Sequence, residues 1–266
     1  MGSSERFVCR SGVEIYLEDT GSGTPILAVH GLGGGAWLFT GLARRLAADY
    51  RIISIDLPGT GRSVAPPGRV SMAAWVADIE DVVLHRAGEP VVLLGHSMGT
   101  IIALHAADAW PGSIRASVFV GGLPEARPEI KDRLALRADT VMRHGIHGTG
   151  AVVASANFAT VVRERQPELV GLFERLVDEQ DPDTYARCCR ILIGASASGL
   201  PAHVQVPCLS ISGSEDQYAP PDLVTEFVRQ LPDAEQTVLP ECGHFPFLEQ
   251  PDAFTAALRP FLERVC

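Results

Sequence analysis

The pentapeptide Gly-His-Ser-Met-Gly at residues 95–99 constrains the fold more than any other stretch, because its neighbours determine the turn that it can form. The apolar run 91–94 predicts a buried strand before it, and the apolar pattern of residues 100–110 predicts a helix after it. Glycines on both sides of a serine allow such a strand and helix to meet in a sharp turn. We therefore expect Ser97 to project from the edge of a sheet as a nucleophile. The alternative is that Ser97 is an ordinary helix N-cap.

Short apolar strands alternate with helical patterns over most of the chain, which predicts an α/β fold with a mostly parallel sheet and helices on both faces. An opening hairpin is expected at residues 6–19. The strands that follow it are expected at residues 26–30, 51–55, 91–94, 116–120, 208–212 and 235–239.

The alternation stops between residues 125 and 200, where the patterns are all helical. We expect residues 1–124 and 201–266 to form the core, and residues 125–200 to form a helical lid inserted after the sixth strand. Such an insertion leaves the edge of the sheet at which α/β proteins bind ligands. Helices are expected at residues 128–144, 151–157, 167–179 and 183–193.

A serine hydroxyl becomes a strong nucleophile when a base removes its proton and an acid orients that base. The candidate base is His244, which lies in a Gly-His-Phe-Pro loop directly after a predicted strand. The candidate acid is Asp216, which follows another predicted strand, and the neighbouring Glu215 is the alternative. The predicted catalytic residues are therefore Ser97, Asp216 and His244, in that chain order.

An acyl-transfer site also needs two donors for the oxyanion that develops in the transition state. The N–H of Met98 lies at the start of the helix that follows Ser97. The N–H of Leu32 lies in a glycine-rich loop after the first buried strand, and we expect it to be the second donor. His30 ends that strand and is expected to order the loop beside the substrate pocket.

Five segments of the chain, taken together and in order, resemble the α/β-hydrolase superfamily over nearly the whole length. The resemblance implies an eight-stranded sheet with one antiparallel strand, the Ser-Asp-His order of catalytic residues, and no cofactor or metal. The five segments are residues 30–33, 56–63, 95–99, 213–216 and 243–246.

The helical region is similar to that of the 3-oxoadipate enol-lactonase group, which implies a small ester or a lactone as the substrate. The matching segments are residues 137–139, 156–158, 167–170 and 181–186, together with Trp37 in the first loop. We place Trp37, Asn157 and Phe158 in the expected substrate pocket. The turn departs from that group at His96 and Thr100, where an apolar residue and a glycine are usual.

Arg133 and Arg137 lie four residues apart and therefore share one face of the first predicted lid helix. The chain carries a net charge of −10, so it repels an anionic lactone unless an arginine faces the pocket. A guanidinium binds both oxygens of a carboxylate, and we expect these two residues to border the substrate. The alternative is that both are solvated and pair with Glu129 and Asp132.

Charge and composition argue against several classes of function. The acidic charge argues against a nucleic-acid partner, and no apolar run is long enough to span a bilayer. Six cysteines occur without the spacing of a disulfide framework or a zinc site. We expect a cytoplasmic protein that holds free thiols and binds no membrane, and its oligomeric state is left open.

Other functions fit parts of the pattern. Residues 31–36 resemble a dinucleotide-binding turn, and Asp56 ends the next strand, where an acid that binds ribose would lie. That interpretation leaves Ser97, Asp216 and His244 without a role. A general carboxylesterase, carbon–carbon bond hydrolysis, perhydrolysis and a receptor that binds a small molecule without turnover are all compatible with the triad.

Overall fold

The computed structural model describes residues 2–266 and contains an eight-stranded sheet in the order β1-β2-β4-β3-β5-β6-β7-β8. Strand β2 is antiparallel to β1 and β4, and the other neighbouring pairs are parallel. This confirms the predicted sheet with one antiparallel strand. The strands are β1 (Ser3–Val8), β2 (Glu14–Gly21), β3 (Pro25–Val29), β4 (Arg51–Ile55), β5 (Val91–His96), β6 (Ile114–Val120), β7 (Cys208–Gly213) and β8 (Ala234–Leu239).

Every residue of β3, β5 and β7 is buried, because helices cover both faces of the sheet. Ser71 caps the second helix, since its hydroxyl accepts the N–H of Ala74. The helices of the core are α1 (Thr40–Leu46), α2 (Met72–Val82), α3 (Met98–Ala109), α9 (Pro221–Val228), α10 (Pro246–Glu249) and α11 (Pro251–Val265).

The segment between β6 and β7, residues 125–200, forms five helices rather than the four that the sequence indicated. The additional helix has six mostly polar residues, too few for a clear apolar period. A single antiparallel bridge between Glu125 and Ser196 joins the two ends of the segment. The five helices are α4 (Pro128–His144), α5 (Thr149–Asn157), α6 (Thr160–Arg165), α7 (Pro167–Asp178) and α8 (Pro182–Gly194).

The register of the parallel strands brings the loops that follow β5, β6, β7 and β8 to one edge of the sheet. His96 at the end of β5 is level with Val120 of β6, which is level with Ile211 of β7. Gly213 of β7 is level with Leu239 of β8. The turn at Ser97 and the loops that carry Asp216 and His244 therefore leave the sheet side by side.

The six cysteines are free thiols, and five of them are buried. Burial raises the pKa of the thiols of Cys9, Cys188 and Cys208 to about 12, which keeps them protonated and unreactive. None of the helices within residues 2–266 combines the length and the apolar character needed to cross a bilayer.

Candidate active site

Ser97 lies at the apex of the turn between β5 and α3 with φ 54° and ψ −117°. A positive φ is uncommon for a residue with a side chain, and such strain is often found at functional sites. A Cβ atom on Gly95 would lie 2.3 Å from the carbonyl oxygen of Gly99, and one on Gly99 would lie 2.4 Å from that of Val29. Only glycine fits at both positions, which explains the spacing of the motif.

His244 and Asp216 are in direct contact, since His244 Nδ1 lies 2.8 Å from Asp216 Oδ2. The other carboxylate oxygen accepts the N–H groups of Tyr218 and Ala219 at 2.8 and 2.9 Å. Both members of the pair are buried. Because the carboxylate only accepts, the imidazole proton lies on Nδ1, and Nε2 is left to accept a proton from a substrate or a nucleophile.

The structure brings Asp216, and not Glu215, to His244. Glu215 is exposed, and its carboxylate accepts the N–H of Thr160 at the start of α6 at 3.1 Å. The two neighbouring acids therefore face different parts of the molecule.

Ser97 opens into a cavity of about 40 Å³ that Met98, Gly121 and Tyr218 also line. A Cβ atom on Gly121 would lie 3.0 Å from Asp216 Oδ2 and 3.2 Å from His244 Nδ1. The acid–histidine pair therefore lies directly beside this cavity, at the same edge as Ser97.

His30 fixes the loop that carries the Leu32 amide. Its Nε2 accepts the N–H of Leu57 at 2.9 Å, so Nδ1 carries the proton and donates to the carbonyl oxygen of Gly31 at 2.7 Å. That carbonyl belongs to the same peptide group as the Leu32 N–H, whose direction is therefore fixed. Burial lowers the pKa of His30, which keeps the ring neutral.

The loop passes directly against the serine, because a Cβ atom on Gly31 would lie 2.7 Å from Ser97 Cβ. The N–H of Met98 is the first of α3 and has no partner within its own helix. The N–H of Leu32 therefore lies on the loop that touches Ser97 and the N–H of Met98 on the residue that follows it, and their role as oxyanion donors stays a prediction.

Trp37 lines a different cavity from Ser97. It is part of a 3₁₀ turn at Ala36–Phe39 and lines a separate cleft of about 380 Å³ with Arg62 and Gln180. Its ring packs edge-on against Phe173 of α7 at 6.1 Å. Trp37 and Ser97 line different cavities, and a substrate pocket shared by the two residues stays a prediction.

Asn157 and Phe158 contact the loop of His244 from the helical segment. The carbonyl oxygen of Asn157 accepts the N–H of His244 at 2.7 Å, while its side-chain amide donates to Val153. The ring of Phe158 packs against that of Phe245 at 5.3 Å. Both residues are buried, and they support the histidine loop.

Arg133 and Arg137 line a groove of about 550 Å³ on the helical segment. Arg137 Nη2 donates to the hydroxyl of Tyr218 at 2.9 Å. Within residues 2–266 neither arginine forms an ion pair with an acid, so the alternative of pairing with Glu129 and Asp132 is wrong. Tyr218 lines both this groove and the cavity at Ser97, so one side chain separates them.

Asp56 is not available to bind a ribose. Its carboxylate accepts the N–H of Ala36 at 2.7 Å and that of Arg62 at 2.8 Å, and it forms an ion pair with the guanidinium of Arg62. The side chain is buried. These contacts hold the glycine-rich loop after β3 against the turn after β4. They occupy the carboxylate of Asp56, which argues against the dinucleotide-binding interpretation.

The sequence analysis assigned no role at the site to two buried residues that lie beside it, His96 and Glu249. His96 Nε2 donates to the carbonyl oxygen of His244 at 3.0 Å, and burial lowers the pKa of His96 well below its ordinary value. Glu249 accepts the backbone N–H groups on both sides of His244. The sequence did offer one signal for Glu249, because it is a single acidic residue within the apolar stretch that follows the histidine loop.

Among residues 2–266 no cluster of three or more His, Cys, Asp or Glu side chains is arranged to bind a metal.

Comparison with known proteins identifies similar chains of nearly equal length. The profile of the "Alpha/beta hydrolase family" matches residues 26–257. A pimeloyl-[acyl-carrier protein] methyl ester esterase of Chromobacterium violaceum is 25% identical over 257 residues, which cover 94% of this chain and 99% of that protein.

Solved structures share the fold over the same length. A thermophilic esterase from Thermogutta terrifontis, solved with malate bound, superimposes with a TM-score of 0.91 at 25% identity and covers 99% of both chains. The enol-lactonase from Burkholderia xenovorans LB400 superimposes with a TM-score of 0.89 at 22% identity, covering 97% of this chain and 100% of that one. The likeness to the enol-lactonase is one of fold.

Proposed function

The chain belongs to the α/β-hydrolase family, and we propose that it is a serine hydrolase that cleaves small carboxylic esters or lactones through an acyl-enzyme. The observation that carries this proposal is the strained turn at Ser97 beside the buried pair of His244 and Asp216. The curated relative named above is a methyl ester esterase, which supports ester hydrolysis.

In the proposed reaction, the Oγ atom of Ser97 attacks the carbonyl carbon while His244 Nε2 takes the hydroxyl proton. Asp216 stabilises the imidazolium that results. The oxyanion accepts the N–H groups of Leu32 and Met98. The imidazolium then returns its proton to the leaving alkoxide, and an acyl-serine remains. Water, activated by His244, hydrolyses that ester and releases the acid.

We further propose that residues 125–200 act as a lid on the core formed by residues 1–124 and 201–266. The cavity at Ser97 measures about 40 Å³, well below the roughly 300–1,000 Å³ of typical ligand pockets. We therefore expect Tyr218 or the lid to move when a substrate binds. The larger groove beyond Tyr218 would then accept the rest of the substrate.

For the substrate itself, we propose a lactone of the enol-lactone type ahead of an open-chain ester, with a carboxylate bound by Arg137. The hydroxyl groups of Tyr185 and Tyr218 lie beside Arg137, and no acid among the described residues serves as its counter-ion. An anionic substrate would supply the missing charge. The related thermophilic esterase was solved with malate, a dicarboxylate.

Replacement of Ser97 tests the proposed reaction. Ser97→Ala should lower kcat on p-nitrophenyl acetate by several orders of magnitude while the far-UV spectrum and the Tm stay at wild-type values. A fluorophosphonate probe should label Ser97 in the wild-type protein, as peptide mass spectrometry would show. Substantial turnover by Ser97→Ala, or a label on another serine, would contradict the proposal.

A further inference from the structure

Glu249 is a buried carboxylate that binds three main-chain N–H groups and no side-chain cation among the described residues. It is 3% exposed and ends the short helix α10. Its oxygens accept the N–H of Gly243, of Phe245 and of Ala159, each at 2.9 Å. Since every partner is a donor, the site fits the ionised carboxylate.

Two of these donors flank His244, and the third belongs to the helical segment. A Cβ atom on Gly243 would lie 2.1 Å from the carbonyl oxygen of Asn157, so the two backbones touch. The main chain of His244 is held on both sides, because its N–H donates to Asn157 and its carbonyl oxygen accepts from His96. Glu249 thus joins the histidine loop and the helical segment through one side chain.

The charge of Glu249 also acts on His244. Burial raises the pKa of Glu249, while its three N–H donors and the nearby His244 oppose that rise. A cation on the imidazole and an anion on Glu249 therefore stabilise each other. The other titratable groups that face His244 and its loop are Asp216, His96, Tyr218 and the protonated thiol of Cys242.

We propose that Glu249 is a positioning residue for the reaction, which fixes the loop of the base His244 against the helical segment and whose charge stabilises the imidazolium. This inference rests on the proposed role of His244 as the base. It differs from the role of Asp216, which binds the imidazole itself, because Glu249 acts through the backbone on either side of the ring.

Two conservative variants separate the geometry of Glu249 from its charge. Glu249→Gln keeps the length of the side chain and removes the charge, while Glu249→Asp keeps the charge and shortens the reach. The exposed Glu263 of α11 provides the control Glu263→Gln, which removes the same charge near Tyr50, at the edge of the sheet where β4 begins. Folding is checked by circular dichroism, and kcat, KM and the pH profile of kcat/KM are measured on p-nitrophenyl acetate.

Glu249→Gln should lower kcat by roughly 10- to 100-fold with little change in KM, which is less than the loss of the base itself would cause. The acid limb of its pH profile should move to lower pH, because protonated His244 has lost a stabilising anion. Glu249→Asp should also lose kcat but keep the wild-type position of the limb. Glu263→Gln should match the wild type in every respect.

A kcat within about twofold of wild type in both Glu249 variants, the size of an ordinary surface effect, would overturn the proposal. So would a lower kcat in Glu249→Gln with an unmoved acid limb, because a purely structural residue would give that result. An error in the proposed serine mechanism would be recognised separately, because Ser97→Ala would then still hydrolyse p-nitrophenyl acetate.

Discussion

Asp216 and Glu215 are neighbours in the sequence, yet only one of their carboxylates reaches His244. Asp216 is held by the N–H groups of Tyr218 and Ala219, which aim its free oxygen at the imidazole. Glu215 reaches across the surface to Thr160. The choice between the two acids therefore depends on backbone donors that the sequence does not reveal, although both residues follow the same strand.

Amide substitutions at the two positions test this assignment. Asp216→Asn should lower kcat by roughly three to four orders of magnitude, because the amide cannot hold the Nδ1–H tautomer of His244. Glu215→Gln removes one exposed contact and should change kcat by no more than about twofold. The kcat values on p-nitrophenyl acetate compare the pair directly. If Glu215→Gln were the more damaged variant, the acid would be Glu215.

Among the helices, α4 is the one that presents charge to the groove beside the site. Arg133 is exposed at its rim, whereas Arg137 reaches Tyr218, the side chain that separates the groove from Ser97. A substrate that displaces Tyr218 would therefore meet the guanidinium of Arg137 first. Helix α4 also carries Arg143, whose side chain donates to the backbone of Asp139 and does not line the groove.

Matched lactones with and without a carboxylate test whether Arg137 binds an anion. Arg137→Ala should lower kcat/KM for the carboxylate lactone by roughly 10- to 100-fold, because a hydrogen bond to a charged group contributes about 1.5–3 kcal/mol. The neutral lactone should lose much less. Arg143→Ala, on the same helix, serves as the control and should leave the preference intact. A preference for neutral esters that Arg137→Ala does not alter would support a general carboxylesterase.

Two buried histidines, His30 and His96, link the stability of the fold to pH. Burial lowers the pKa values of His30 and His96 below the ordinary value of 6.5. In the unfolded chain both rings bind protons below that pH, while in the folded protein they stay neutral. The unfolded state then binds more protons, so the free energy of unfolding falls as the pH falls.

We expect full histidine-dependent stability above about pH 6.5 and a progressive loss below it, with a limiting slope of about 1.4 kcal/mol per pH unit for each histidine. Urea unfolding between pH 5 and 8 measures this dependence. His96→Asn removes one titrating ring and should reduce the slope below pH 6.5. A wild-type slope in that variant would show that other groups dominate.

The positions of the strands along the chain and the turn at Ser97 are predictable from the sequence because they depend on local patterns: apolar runs, a helical period and glycines at fixed spacing. The eight-stranded sheet with one antiparallel strand was implied by the family resemblance. Helices α6 and α10 are not predictable in this way, since each is too short to show a period. The position of Trp37 depends on packing against Phe173, more than a hundred residues away. Glu249 likewise binds Ala159 across ninety residues, and such contacts leave no local signature.

The bridge between Glu125 and Ser196, supported by the N–H of Ala197 donating to Pro124, has a consequence for how this fold can diversify. The chain leaves the core and returns to it at one point, so the intervening residues behave as a closed loop. The entropy cost of closing a loop grows with the logarithm of its length, about 0.6 kcal/mol for each doubling. Changes in the length of the segment beyond the bridge therefore cost little closure entropy, and substrate range can evolve through helices that keep the contacts of Asn157, Phe158 and Ala159 with the histidine loop.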